Sequence, residues 1–157
     1  MKSHIAHTAL GIIVCSMLLG IAQTAQAQGQ SQAHACTMSG VAGNYGYTSG
    51  GTIVSPPVGP FTAVGRITLT DSGTISGAQT TSIAGNFFEE TVEGSFTVSS
   101  DCTGSMTAYV YHGSTLVRTT LLHLVWDHDE KEVRAIFLAP GTAITLAARK
   151  MSYNDED

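Results

Sequence analysis

Phe61-Thr62-Ala63-Val64-Gly65-Arg66-Ile67-Thr68-Leu69-Thr70, followed at once by Asp71-Ser72-Gly73, is the stretch on which the fold turns. Phe61, Ala63, Gly65, Ile67 and Leu69 fall on one side of an extended chain and Thr62, Val64, Arg66, Thr68 and Thr70 on the other, the period of two that a half-buried strand requires. Gly73 can take positive φ, so the strand ends in a hairpin turn. Beyond it a third strand runs from Thr74 to about Ile83. A fourth spans Asn86 to Ser99, with Phe88, Glu90, Val92, Gly94, Phe96 and Val98 on one face. Asp101-Cys102-Thr103-Gly104 turns the chain into a fifth strand, Ser105 to His112, and Gly113-Ser114 is a two-residue hairpin loop. The sixth strand, Thr115 to Trp126, is apolar on both faces. A charged turn over Asp127 to Lys131 leads to a seventh strand, Glu132 to Ala139, and an eighth, Thr142 to Met151. On the amino-terminal side, Val41 to Ile53 is the first strand, with Tyr45 and Tyr47 on one face. Ser55 to Pro60 forms an extended loop, because its prolines cannot donate to a ladder.

Eight short antiparallel strands leave two sheet edges to dispose of, and closure of the sheet on itself leaves none. The expected fold is all-β, an eight-stranded antiparallel up-and-down β-barrel. A two-sheet β-sandwich is the alternative, but it calls for Greek-key crossovers, and no loop except the proline-rich one is long enough. Gly65, Gly77 and Gly94 lie inside strands, where they permit the coiling a small barrel needs. Composition agrees: 157 residues suit one domain, 43% are apolar and 12% charged, and 17 glycines stand against four prolines. A net charge of −5 with seven Lys plus Arg gives no basic footprint for nucleic acid or anionic lipid.

Residues 1-27 read as a secretory signal peptide: Lys2, an apolar core from Ala9 to Ala22, then Ala25-Gln26-Ala27 as a cleavage site. About 14 apolar residues span only about 21 Å as a helix, short of a bilayer core near 30 Å. No membrane insertion is expected once the signal is removed, and the mature chain is expected to be secreted or periplasmic. Processing would leave two cysteines, and an even count in an exported chain suggests a Cys36 to Cys102 disulfide, with two free thiols or an intermolecular pair as the alternative. Such a bridge closes a loop of about 65 residues and is worth roughly 4 kcal/mol in the chain-entropy model. Residues 28-35 are expected to be a disordered leader, residues 36-151 the single barrel domain, and residues 152-157 a frayed acidic tail.

The elements Gly43-Asn44-Tyr45-Gly46-Tyr47, Gly65-Arg66-Ile67-Thr68 leading into Asp71-Ser72-Gly73-Thr74-Ile75-Ser76-Gly77, Gly94-Ser95-Phe96-Thr97-Val98 before Asp101-Cys102-Thr103-Gly104, and Glu132-Val133-Arg134 resemble those of small secreted bacterial proteins of unassigned function. That group is similar to allene-oxide-cyclase-like and other calycin-type barrels. The resemblance covers about Cys36 to Lys150 and implies a closed sheet. It implies no reaction, since calycin-type barrels include both ligand carriers and isomerases.

Chemical candidates are few. His34, His112, His123 and His128 lie on the leader, two strands and a turn, a spread that does not indicate a zinc site, and Asp127, Asp129 and Glu130 lack the spacing of a calcium loop. They read as the solvated tip of a hairpin. Cys102 has no neighbour that would activate a thiol, and no nucleophile elbow, acylation motif or phosphate loop is present. No metal or cofactor is expected. Glu90 stands out, because alternation puts it with Phe88, Val92 and Phe96. Facing inward it would need a partner, for which Arg118 is placed by its own alternation; a bulge near Glu89-Glu90 would instead turn both acids outward.

Three functions fit such a chain. A barrel mouth lined by Tyr45, Tyr47, Phe88, Glu90, Phe96, Arg118 and Trp126 would bind a small apolar or amphipathic ligand. A structural or interaction module with a solid core needs no site of that kind. A cofactor-independent isomerase or cyclase would use Glu90 as acid, base or electrostatic support. The sixth strand adds an expectation of its own: Val117, Leu121 and Val125 form an outer apolar stripe suited to packing against a second copy or a partner.

Overall fold

The computed structural model describes residues 35–152 except 57. The expected signal peptide, the leader up to residue 34 and the tail from residue 153 lie outside the described residues. Eight strands follow in order: β1 (Gly43–Ile53), β2 (Gly59–Leu69), β3 (Thr74–Ile83), β4 (Asn86–Val98), β5 (Thr103–His112), β6 (Thr115–Trp126), β7 (Glu132–Phe137) and β8 (Thr142–Lys150). Each pairs antiparallel with the next, and β8 pairs with β1 from Tyr45↔Lys150 to Ile53↔Thr142. The sheet is a closed up-and-down barrel, so the sandwich alternative falls away.

Alternation along each strand fills the interior. On β2 the buried positions are Phe61, Ala63, Ile67 and Leu69, and on β6 they are Thr120, Leu122, Leu124 and Trp126. Close strand approach depends on glycine at two positions. A Cβ on Gly94, whose φ is +152°, would collide with the carbonyl oxygen of Thr107 across the ladder, and one on Gly77 would collide with that of Arg66. The ladder between β5 and β6 shifts register between Val110 and Tyr111, which face Arg118 and Leu116. Val117 is therefore the extra residue of a bulge that re-aims the start of β6.

Two segments depart from the sequence reading. Val41, expected at the head of the first strand, closes a single helical turn, α1 (Met38–Val41), whose N-cap Thr37 accepts the Gly40 N–H through Oγ1 at 2.9 Å. Four residues are too few for a 3.6-residue period to show. The second departure is Glu130, expected at a solvated hairpin tip. It is 7% exposed, and its Oε1 accepts the Thr37 N–H at 2.7 Å.

Glu130 and α1 together close one end of the barrel. Val41 is fully buried under this plug, and the Tyr45 hydroxyl donates to the carbonyls of Val41 at 2.7 Å and Glu130 at 3.2 Å. Burial pushes Tyr45 up to about 12, so the hydroxyl keeps its proton at physiological pH. Lys150 Nζ donates to the Gly40 carbonyl at 2.6 Å and stands 5.7 Å from the centre of the Tyr45 ring. Cys36 and Cys102 form a disulfide, with Cα atoms 5.0 Å apart, that ties the segment before α1 to the β4–β5 turn.

The bridge leads to a direct expectation. Alkylation without reductant should label neither Cys36 nor Cys102. Cys102→Ser should keep the β-sheet circular dichroism spectrum and lower unfolding stability by about 2–5 kcal/mol in denaturant titration. Labelling of both thiols in the unreduced protein would show the bridge to be wrong.

Candidate functional site

Several polar residues of the interior meet at one place. Gln79 and Thr81 project inward from β3, and the unbroken β3–β4 register sets Gln79 opposite Glu90 and Thr80 opposite Glu89. Glu90 is therefore inside, 5% exposed, while Glu89 is outside. The alternative in which a bulge turns both acids outward is corrected here: the bulge lies across the barrel wall, at Val117 on β6. Arg118, the next residue, reaches Glu90 with two parallel hydrogen bonds of 2.6 Å, Nη1 to Oε1 and Nη2 to Oε2. Glu90 Oε2 also accepts from Thr81 Oγ1 and Gln79 Nε2, each at 2.7 Å. Tyr47 completes the chain by donating to Gln79 Oε1 at 2.6 Å.

This network explains how a carboxylate survives in an apolar barrel. Burial alone would raise the Glu90 pKa. The hydrogen bonds from Arg118, Thr81 and Gln79, with the guanidinium charge, outweigh that effect and hold the carboxyl below its usual range. Burial pushes the Tyr47 hydroxyl up, so it stays a donor. Glu90 is thus an anion at neutral pH with both oxygens engaged, a poor acceptor for a substrate proton. The Arg118 side chain retains 26% of its surface, against 3% for Glu90, so Arg118 is the more exposed member of the pair.

The seven residues expected to line a ligand site divide among different parts of the barrel. Tyr47, Glu90 and Arg118 come together in the polar network. Tyr45, Phe96 and Trp126 lie at or near the plugged end, where the Phe96 and Trp126 rings pack 6.3 Å apart. Phe88 sits near the opposite end, 37% exposed, with its ring edge-on to His112 at 6.2 Å. Gln79 and Thr81 escaped the sequence reading. Their alternation with Ile75 and Gly77 on the third strand was the available signal. The interior cavity, lined by Tyr47, Gln79, Arg118, Thr120, Leu146 and other inward side chains, has a volume of about 40 Å³.

Among the described residues, no group of three or more His, Cys, Asp or Glu is placed to hold a metal ion. No helix among them is long and apolar enough to cross a membrane. Comparison of the chain with known protein families, curated proteins and solved structures gives no match. The closed eight-stranded antiparallel architecture is consistent with a calycin-like fold.

The ion pair makes a two-sided prediction about stability. Arg118→Met leaves a buried carboxylate without its cation and should lower stability at neutral pH by about 3 kcal/mol, the low end for a broken buried pair because Arg118 is partly exposed. Glu90→Leu with Arg118→Met should recover most of that loss. The wild-type contribution of Glu90 is fully present above its ordinary value of 4.5 and is lost as pH falls through its lower folded value. The deficit of Arg118→Met should therefore narrow in acid, as denaturant midpoints measured across pH will show. A deficit independent of pH would mean that packing, not charge, holds this site.

Proposed function

We propose that this protein is an exported β-barrel interaction module with a filled core, and that it works through its outer wall by associating with a second copy of itself. The observation that carries this reading is an outer face of β6 and β7 on which large apolar side chains stand in water, interleaved with Thr119, His123 and Arg134. Val117, Leu121 and Val125 are 48%, 52% and 48% exposed, and β7 extends the stripe with Ile136 at 49%. Leu138 continues it, since its N–H bonds the Leu121 carbonyl at 2.8 Å. Val125 and Ile136 border an open groove of about 700 Å³ on the outside of the wall, which also includes Thr48, Gly50 and Ala147. Large apolar side chains beside an open groove that also carries His123, Arg134 and several threonines suit a self-complementary two-fold contact with an apolar centre and polar surroundings.

The interior supports the same choice. A cavity of about 40 Å³ holds a few waters, whereas small-molecule pockets run to roughly 300–1,000 Å³. A second reading keeps a small amphipathic ligand at the mouth, because Arg118 is partly exposed and could meet an anionic head group while Phe88 contacts the apolar part. The isomerase reading draws no support from Glu90, whose carboxylate is fully engaged. Export rests on the signal-like residues 1-27 and on a cysteine pair that suits an oxidising, extracellular compartment. The kinship with calycin-type barrels rests on architecture and carries no activity.

Sedimentation at tens of micromolar should give a dimer, and Leu121→Ser should give a folded monomer. A wild-type monomer whose solubility and mass are unchanged by Leu121→Ser would remove the proposal. Separately, mass spectrometry of exported protein should show a chain beginning at or near Gln28; retention of residues 1-27 would overturn the processing.

A further inference from the structure

Two hydroxyls inside the barrel take no part in the network around Glu90. Ser49 follows Tyr45 and Tyr47 on the inward side of β1, and Thr120 lies between Arg118 and Leu122 on the inward side of β6; the two residues are 6% and 5% exposed. Their neighbours across the ladders offer their side chains nothing to bond. Ser49 stands between Ala63 on β2 and Leu146 on β8, and Thr120 pairs with Ala108 on β5. Thr81, the other buried threonine, bonds Glu90, but among the described residues neither the Ser49 nor the Thr120 hydroxyl has a protein partner. Both residues line the interior cavity of about 40 Å³. A buried hydroxyl is costly unless it is hydrogen-bonded, and each of these brings one proton and two lone pairs to that space.

Size, charge and chemistry narrow what the cavity takes. A water needs roughly 10–15 Å³ of such space, so about 40 Å³ accommodates one and at most about three. A ligand of many heavy atoms is too large. An anion meets no uncompensated charge, because Glu90 already holds the Arg118 guanidinium with two hydrogen bonds of 2.6 Å. A cation finds both Glu90 oxygens engaged, Oε2 by Thr81 and Gln79 as well as Arg118. An apolar atom would leave both hydroxyls without a partner. A neutral molecule of water's size, able to donate and to accept, meets every condition.

We infer that the interior cavity is a water-binding site, in which at least one resident water is held by the Ser49 and Thr120 hydroxyls. Tyr47, Gln79 and Arg118 line the same cavity, so the water joins the polar network and extends it from the Glu90 side of the wall to β1 and the deeper part of β6. The ion pair is then solvated from within by a molecule that belongs to the fold. This site is independent of any association through the outer wall.

Oxygen-17 relaxation dispersion of water, measured on the mature, oxidised protein, counts long-lived internal waters and tests the inference. The wild-type dispersion should fall by at least one water per chain in Ser49→Ala with Thr120→Val, whereas Thr120→Ser, which keeps the hydroxyl, should retain it. Each single variant, Ser49→Ala or Thr120→Val, should lower it too, which keeps the test open should the double variant not fold. Stability answers with opposite signs for a wet and a dry cavity. Thr120→Val exchanges a hydroxyl for a methyl of nearly the same shape. Where water bonds that hydroxyl, the denaturant midpoint falls; where the cavity is dry, an unsatisfied group is removed and the midpoint rises. A raised midpoint for Thr120→Val would overturn the inference, as would a dispersion that the hydroxyl-free variants leave unchanged.

Discussion

Closure of the sheet between β1 and β8 is the constraint from which the rest of the structure follows. An open eight-stranded meander would present two rows of unpaired backbone groups, and the nine paired positions between Tyr45↔Lys150 and Ile53↔Thr142 remove both at once. Closure also fixes the interior. Eight strands enclose a space that side chains can just fill, and here aromatic and aliphatic groups from every strand leave about 40 Å³. Any acid pointing inward must then find its partners within that space. Glu90 does so with Arg118, Thr81 and Gln79, and the result is an ion pair that ties β4 to β6, the strand next but one along the wall.

With the inside nearly full, the exposed apolar groups are on the outside. Val117, Leu121 and Val125 on β6 and Ile136 on β7 stand in water there.

Much of this was legible in the sequence, because alternation and turn chemistry are local. Phe61 to Thr70 announces a strand by itself, and Asp71-Ser72-Gly73 announces the turn; the glycine takes φ +83°. The pairing of Glu90 with Arg118 was visible as two inward positions, but whether they meet depends on register across β4, β5 and β6, which no single strand reveals. The sequence reading left Glu90 between an inward and an outward setting for that reason. Glu130 was misread because a carboxylate in a run of charged residues resembles any hairpin tip. Its burial follows from docking of α1, and a four-residue turn with the sequence Met-Ser-Gly-Val gives no periodic signal. The lining set mixed both ends of the barrel, since alternation reports face but not height along the axis.

The connectivity of the wall bears on how the chain reaches this state. Seven of the eight strand pairs join neighbours in sequence and form as local hairpins, which close quickly because little chain entropy is spent. The eighth joins Tyr45 to Lys150 and requires the whole meander to be in place. Until it forms, β1 and β8 are exposed edges on a partly folded chain, open to pairing with other molecules. The Cys36–Cys102 bridge links the segment just before β1 to the middle of the sequence. Oxidation before closure would hold one of those edges near the growing sheet and shorten the interval in which intermolecular pairing competes with folding.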